Sequence, residues 1–211
     1  MGNIKIKVED KELNGILTIP KNANAIILFA HGSGSSRLSP RNQFVARVLN
    51  KKGFATLLMD LLTEEEENID NQTGELRFNI ELLAKRLILT HDWLRENEGT
   101  KNLKIGYFGS STGASAALIA ASKIEGIFAI VSRGGRPDLA IDYLDKVSSP
   151  TLLIVGGEDK EVIKMNKEAL GKLKSKKKLE IIPGATHLFE ETGALESVAD
   201  IATNWFLEHS K

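Results

Sequence analysis

The sequence predicts one α/β domain in which a mostly parallel β-sheet carries helices on both faces. Short apolar runs alternate along the chain with segments of helical spacing, which is the pattern of β-α units. Most of these runs lack polar alternation, as expected for strands that are covered on both faces. The 211 residues suffice for one well-buried domain, and nothing in that length requires a second.

The first twenty residues predict an antiparallel hairpin at the edge of the sheet. Ile4, Ile6 and Val8 alternate with charged residues, and a second short apolar run follows at 13–19. Alternation with period two is typical of a strand that has one exposed face.

Six further strands and six helices follow in alternation. We predict the strands at 25–30, 55–59, 105–108, 127–131, 151–155 and 179–182, and the helices at 40–51, 75–97, 113–123, 139–144, 161–173 and 194–209. The segment 62–74 contains four consecutive glutamates and is predicted to be a loop. It follows the end of a strand, so we expect it to border the ligand crevice.

Composition excludes several classes of function. Lysine plus arginine and aspartate plus glutamate both number 28, so no excess charge favours nucleic acid or an anionic membrane as a partner. A small or neutral substrate is the natural expectation. Cysteine is absent, which excludes disulfides, thiolate metal ligands and a cysteine nucleophile, so a serine must do any nucleophilic work. The chain start lacks a secretory pattern, and we expect a soluble cytoplasmic protein.

A G-x-S-x-G motif at Gly109, Ser111 and Gly113 lies between a predicted strand and a predicted helix. This context predicts a nucleophile elbow, a turn too sharp for neighbouring side chains, with Ser111 at its apex. The alternative is a Gly/Ser turn in which Ser110 or Ser111 only caps the helix.

A serine nucleophile needs a histidine base and a carboxylate that orients it, and both must follow in the order Ser, Asp, His. Asp159 follows the strand at 151–155, and His187 follows the strand at 179–182. Glu158 and Glu161 compete with Asp159, but the shorter side chain at a loop tip is the better orienter.

The other histidines are less well placed. His91 lies within a helix and His209 near the end of the chain, so both are expected to be structural. His31 opens the glycine-rich loop after the first parallel strand and is expected to brace that loop.

An oxyanion hole requires preorganised N–H donors near the nucleophile. The backbone N–H of Thr112 is one expected donor. The other is expected from the loop after the first parallel strand, with Ser33 as the candidate and Gly32 or Gly34 as alternatives.

Taken in order, the motifs HGSGSS, GSSTGA, GGEDKEV and GATHLF resemble those of the α/β-hydrolase superfamily, and most of all the small enzymes grouped with dienelactone hydrolase. The resemblance implies an α/β-hydrolase fold with Ser111 as nucleophile, His187 as base and then acid, and Asp159 as orienter. Dienelactone hydrolases carry cysteine at the elbow, whereas serine indicates ester hydrolysis through an acyl-enzyme. The short segment 133–149 leaves no room for a lid domain, so we expect an open site and a small ester substrate. No His/carboxylate cluster has the spacing of metal ligands, so we expect no cofactor or metal.

Two arginines, Arg133 and Arg136, follow the strand at 127–131 on the same sheet edge as the triad. They are candidates for binding a substrate carboxylate or phosphate, because the guanidinium fork matches such groups. The alternative is a turn in which they pair with Asp138, Asp142 or the acidic segment. Arg37 and Arg41 raise the same question, although Arg41 is expected to begin a helix.

Other classes of function remain to be weighed. A nucleotide-binding loop at Gly32 and Gly34 is disfavoured because its third small residue would be Arg37, and no Walker pattern follows. An acyltransferase, a thioesterase or a non-catalytic protein that retains the fold are the alternatives to an esterase. The sequence leaves the oligomeric state open, a homodimer included.

Overall fold

The computed structural model describes residues 2–211 and contains one eight-stranded sheet with the strand order β1-β2-β4-β3-β5-β6-β7-β8. The strands are β1 (Gly2–Val8), β2 (Lys11–Thr18), β3 (Ala25–Ala30), β4 (Ala55–Met59), β5 (Lys104–Ser110), β6 (Ile127–Arg133), β7 (Thr151–Gly156) and β8 (Lys177–Ile182). The hairpin predicted for the first twenty residues is confirmed as β1 and β2, which pair antiparallel at the sheet edge, and β2 pairs antiparallel with β4. The remaining pairs are parallel, as predicted.

Six α-helices flank this sheet: α1 (Pro40–Lys51), α2 (Glu64–Thr73), α3 (Ile80–Glu96), α4 (Thr112–Lys123), α5 (Lys160–Lys172) and α6 (Ala194–His209). One apolar core lies between the sheet and α3, α4 and α5, and the second lies between the sheet and α1 and α6. All six residues of β3 and of β7 are buried, because both faces of these central strands are covered. The predicted α/β-hydrolase architecture is confirmed.

The prediction of a loop at 62–74 is wrong, because most of this segment is helix α2. The side chain of Thr63 accepts a hydrogen bond from the Glu66 N–H, and the Glu66 carboxylate accepts one from the Thr63 N–H. This capping box and four glutamates in the first turn suit the positive end of the helix dipole. Glu66 also pairs with the buried Arg86 at 2.7 Å.

The predicted helix at 75–97 is too long at its start. A 3₁₀ turn at Leu76–Phe78 comes first, and α3 begins at Ile80 because the Asn79 side chain accepts a hydrogen bond from the Leu82 N–H at 3.1 Å. The helix predicted at 139–144 is part of a longer 3₁₀ helix, Pro137–Lys146, which occupies most of the connection between β6 and β7.

No helix within residues 2–211 has both the length and the apolar character needed to cross a bilayer. The cytoplasmic location stays a prediction.

Candidate active site

Ser111 occupies a strained turn between β5 and α4. Its backbone has φ 50° and ψ −121°, which L-residues adopt rarely and mostly at functional sites. The Ser111 N–H donates to the carbonyl of Arg133 at 3.1 Å, and the Ser111 carbonyl accepts the Arg136 N–H at 3.2 Å. The end of β6 and the turn that follows it therefore hold the strained residue through both of its backbone polar groups.

The two motif glycines make this turn sterically possible. A Cβ on Gly109 would lie 2.7 Å from the Ala114 nitrogen, and a Cβ on Gly113 would overlap the carbonyl oxygens at the end of β3. The sequence pattern G-x-S-x-G is therefore required by close approach of backbone to backbone.

The alternative interpretation, a serine that only caps α4, is wrong. Among the contacts of residues 2–211, neither serine side chain bonds to a backbone N–H at the start of α4: Ser111 makes no cap bond, and the Ser110 hydroxyl donates instead to Asn42 Oδ1 at 3.0 Å. Ser111 itself is half-buried.

His187 and Asp159 are hydrogen-bonded to each other at the same edge of the sheet. His187 Nδ1 lies 2.6 Å from Asp159 Oδ2, so the carboxylate fixes the tautomer in which Nδ1 carries a proton and Nε2 is free to accept one. Asp159 precedes α5 without capping it. A Cβ on Gly156 would overlap the carbonyl oxygens of the loop that contains His187, so this glycine lets the two loops meet.

An open cleft with about 650 Å³ of empty space brings Ser111 and His187 together. The other residues that line it come from the loops after β3 and β8, the ends of β5 and β6 and the start of α1: Gly32, Ser33, Ser35, Ser39, Arg41, Asn42, Ser110, Arg133 and Leu188. A Cβ on Gly134 would lie 3.5 Å from His187 Nδ1, so the imidazole packs against the residue that follows Arg133. Ser111, the candidate nucleophile, and His187, the candidate base, therefore both lie next to the C-terminal end of β6.

The other three histidines form hydrogen bonds within the fold, as expected for structural residues. His31 Nδ1 donates to the Gly32 carbonyl at 2.9 Å, and Nε2 accepts the Leu61 N–H at 3.1 Å, so His31 braces the loop that follows β3. Burial lowers the pKa of His31 and keeps it neutral. His91 bonds to Tyr107 and His209 to the Trp205 carbonyl, away from the cleft.

The competing carboxylates do not reach the imidazole. Glu158 is exposed beside Lys160, and Glu161 lies in the first turn of α5. The structure therefore brings Asp159, and not Glu158 or Glu161, into contact with His187.

The two expected oxyanion donors are the backbone N–H groups of Ser33 and Thr112. The two residues are in contact, and the Ser33 N–H already has a hydrogen-bond acceptor. The Ser33 N–H donates to Thr112 Oγ1 at 2.9 Å, a contact that the sequence did not indicate. The Thr112 N–H belongs to the first turn of α4, where backbone N–H groups have no acceptor within the helix. Gly32 and Gly34, the alternative donors, flank Ser33 in the same loop.

Three of the four arginines considered from the sequence form ion pairs. Arg136 donates from Nε and Nη2 to Asp138 at 2.9 and 2.8 Å, as the turn interpretation predicts, and it does not line the cleft. Arg37 bonds to Asp60 through its backbone N–H and its guanidinium. Arg41, near the start of α1, bonds to Glu190 at 2.8 Å.

Arg133 differs from these three. It is 7% exposed and lines the cleft, and its Nε and Nη1 are buried without a hydrogen-bond partner in the described chain. Sequence reasoning missed the contact of its guanidinium with the ring of Phe189, whose backbone also has a positive φ of 58°. Burial and the neighbouring Arg41 lower the pKa of Arg133 to about 10.

The sheet order, the elbow after β5 and the His–Asp pair after β8 and β7 define the α/β-hydrolase class. Residues 13–206 match the model of the dienelactone hydrolase family. A crystal structure of a dienelactone hydrolase from Anabaena variabilis is 56% identical and has a TM-score of 0.98, covering 100% of this chain and 98% of that one. The chain therefore belongs to the dienelactone hydrolase family, and this relationship supports a hydrolase.

Two further similarities extend the comparison. Est1E from Butyrivibrio proteoclasticus has a TM-score of 0.83 at 19% identity, covering 99% of both chains, which shows a common fold. A protein of Mycobacterium tuberculosis provisionally named a phosphoribosyl transferase is 55% identical over 196 residues. That match covers 92% of this chain but 43% of the relative, so this chain spans less than half of the mycobacterial protein.

Proposed function

We propose that this protein is a serine hydrolase that cleaves small carboxylic esters through an acyl-enzyme. The observation that carries the proposal is the 2.6 Å bond between His187 and Asp159 beside a cleft that contains the strained Ser111. A serine hydroxyl becomes nucleophilic when a histidine of fixed tautomer can take its proton.

Each residue has a defined task in this reaction. Ser111 Oγ forms a bond to the ester carbonyl carbon while His187 Nε2 takes the hydroxyl proton, and Asp159 stabilises the resulting imidazolium. The imidazolium then donates that proton to the leaving alkoxide as the carbon–oxygen bond breaks. Water then attacks the acyl carbon while His187 Nε2 takes its proton, and the imidazolium donates that proton to Ser111 Oγ as the bond between Oγ and the acyl carbon breaks, which releases the acid.

The oxyanion formed at each attack requires donors aimed at the carbonyl oxygen. The Thr112 N–H and the Ser33 N–H are the groups that we assign to it. Ser33 must exchange its bond to Thr112 Oγ1 for one to the substrate oxygen, which is a short movement because the two residues are already in contact.

An acyltransferase or a thioesterase uses the same acyl-enzyme and differs in the group that attacks it or leaves it. The cleft is open and the connection between β6 and β7 contains one 3₁₀ helix, so water has direct access to Ser111. This access favours hydrolysis over transfer. The phosphoribosyl transferase name belongs to a much longer protein, and nothing in the cleft leads us to propose that activity here.

The test combines covalent labelling with turnover. A fluorophosphonate probe should label the wild type at Ser111, and Ser111→Ala should abolish both labelling and hydrolysis of p-nitrophenyl acetate. Ser122→Ala is the matched control, because Ser122 lies on α4 and its hydroxyl bonds to the Ile119 carbonyl. Absence of labelling in the wild type would favour a non-catalytic protein, and product that retains the acyl group on an added alcohol would favour an acyltransferase.

A further inference from the structure

The turn 133–136, directly after β6, contacts both the candidate nucleophile and the candidate base. The carbonyl of its first residue and the N–H of its last residue both bond to Ser111. On its other side, the imidazole of His187 packs against Gly134, whose Cβ position is 3.5 Å from His187 Nδ1. The position of this turn therefore affects how the two side chains stand relative to each other.

No direct bond sets the distance between nucleophile and base. His187 bonds to Asp159 at 2.6 Å, and no hydrogen bond within residues 2–211 joins its imidazole to Ser111. Their separation is therefore set by the backbone that carries each of them. Proton transfer requires heavy atoms within about 3 Å, and a misplacement of about 1 Å can cost about 10²-fold in rate.

The side chain of Asn166 on α5 joins this turn to the helix that follows the candidate orienting acid. Its Nδ2 donates to the Gly135 carbonyl at 3.0 Å and to the Val162 carbonyl, one helical turn earlier, at 2.8 Å. Helix α5 begins directly after Asp159, whose carbonyl accepts the Ile163 N–H at 2.9 Å. One helix therefore carries the carboxylate at its start and the amide about 10 Å further along, against the turn.

The burial of Asn166 shows that its donor bonds matter. The residue is 0% exposed, and its Oδ1 has no hydrogen-bond partner in the described chain. A buried acceptor without a partner is destabilising, so an apolar side chain would be favoured here unless the two donor bonds compensate. Gly135 is itself buried, and its carbonyl would lose this donor if residue 166 were apolar.

The turn is packed against the start of α4, so it cannot shift without affecting the elbow. A Cβ on Gly135 would lie 2.8 Å from Ala114 Cβ, and the Arg136 carbonyl accepts a hydrogen bond from the Ser115 hydroxyl. Because protein interiors are close-packed, a displacement of the Gly135 carbonyl is passed to the first turn of α4, directly after Ser111.

We propose that Asn166 is a positioning residue: its bond to the turn 133–136 fixes the distance between Ser111 and His187 that transfer of the hydroxyl proton requires. This inference rests on the proposed function and adds a residue outside the cleft to its machinery. Asn166 is not among the residues that line the cleft, so its loss should slow the chemical step and leave substrate binding unchanged.

The first experiment compares two truncations of this side chain. Asn166→Ala removes both hydrogen bonds. Asn166→Ser is equally short, but its hydroxyl can donate to the Val162 carbonyl, as Thr203 does to the carbonyl four residues earlier, and it cannot reach the turn. In both variants the maximal rate of fluorophosphonate labelling should fall about 10- to 100-fold, while the half-saturating probe concentration stays within about twofold. A wild-type rate in Asn166→Ser would overturn the proposal, because the bond within α5 would then be the important one.

A matched control separates positioning from a general loss of stability. Asn50 on α1 also donates two bonds from Nδ2, to the Phe54 carbonyl at 2.9 Å and to Thr56 Oγ1 at 3.0 Å, and it does not line the cleft. Asn50→Ala should lower the Tm and leave the labelling rate at 25 °C unchanged, where circular dichroism shows the variant to be folded. A fall in rate equal to that of Asn166→Ala would overturn the proposal.

The pH dependence of labelling separates the proposed route from an effect on the imidazole. The bond between His187 and Asp159 does not involve the turn, so the midpoint of the pH profile should be the same in Asn166→Ser as in the wild type, while the plateau falls. A shifted midpoint would overturn the proposal, because it would place the effect at the histidine and its carboxylate.

Hydrogen exchange measured by NMR tests the positioning without any activity. The N–H groups of Ser111 and Arg136 are bonded within the elbow and the turn, and they should exchange about tenfold or more faster in Asn166→Ser than in the wild type. Unchanged exchange would overturn the proposal even if ester hydrolysis is found. If the wild type is not labelled and hydrolyses no ester, the proposed function fails separately, and the exchange rates still decide whether Asn166 holds the elbow.

Discussion

Replacing Arg133 by methionine should stabilise the ligand-free protein. Burial, with a smaller contribution from Arg41, lowers the pKa of Arg133 by more than two pH units, to about 10. That difference corresponds to about 3 kcal/mol of destabilisation. Because the charged form is the one disfavoured in the folded state, the destabilisation is present at every pH below about 10 and decreases above it.

The contact with Phe189 offsets part of this effect. A desolvated cation–π contact contributes about 1–2 kcal/mol, so Arg133→Met is expected to gain about 1–2 kcal/mol. For a chain of this size the gain corresponds to an increase in Tm of about 2–8 °C.

The measurement is thermal unfolding by circular dichroism at pH 7 in a buffer without phosphate or carboxylate. An unchanged or lower Tm for Arg133→Met without ligand would refute the reasoning, because it would mean that contacts within the folded protein already compensate the buried charge.

Three further predictions follow from the site. Gly113→Ala should destabilise the protein severely, by about 4 kcal/mol or more in urea unfolding, because its Cβ would overlap backbone carbonyls, whereas Gly171→Ala in α5 has open space and should be neutral or stabilising. Asp159→Asn should lower kcat about 10³- to 10⁴-fold with the fold intact by circular dichroism, since the amide cannot hold the imidazole in the required tautomer; a loss below tenfold would assign the orienting role elsewhere. Thr112→Val removes the acceptor of the Ser33 N–H and should raise kcat/KM for a neutral ester about twofold to tenfold, and a decrease would show that the Thr112 hydroxyl supports the oxyanion loop.

Much of the fold could be predicted because its signals are local. The apolar runs of β3 and β7 are buried on both faces and show no alternation, and the edge hairpin shows the opposite pattern. The location of Ser111, Asp159 and His187 at one edge of the sheet could be predicted because the elbow glycines and the strand ends fix where they lie along the chain. Each assignment needed only neighbouring residues and the rule that parallel strands end at one edge.

Helix α2 was missed for a physical reason. Its sequence has almost no apolar stripe, so periodicity gave no signal, and the helix depends on its capping box and on the pairing of Glu66 with Arg86, a residue of the next helix. The capping pattern of Thr63 and Glu66 was present in the sequence and could have indicated the start. The partner on α3 could not be known before the fold was.

The sequence also could not show which arginine lacks an ion-pair partner, because four similar side chains near one sheet edge look alike in sequence. Arg136 has an acidic neighbour two residues away, and this local signal correctly favoured an ion pair. The lack of a partner at Arg133 depends on what α1 and the loop after β8 place around it, and these are distant in sequence.

The end of β6 combines two tasks that can be separated by mutation. The backbone of β6 and of the turn after it holds Ser111 through the Arg133 carbonyl and the Arg136 N–H, whereas the side-chain contribution of β6 to the cleft is the Arg133 guanidinium. Side-chain variants of Arg133 leave both backbone bonds in place, so they should leave the labelling of Ser111 unchanged. Gly134, with φ 53° and its Cβ position 3.5 Å from His187 Nδ1, is the opposite case. Gly134→Ala strains the backbone that holds Ser111 and moves a methyl group toward the imidazole, so it should reduce ester turnover, and an unchanged turnover would contradict this division of tasks.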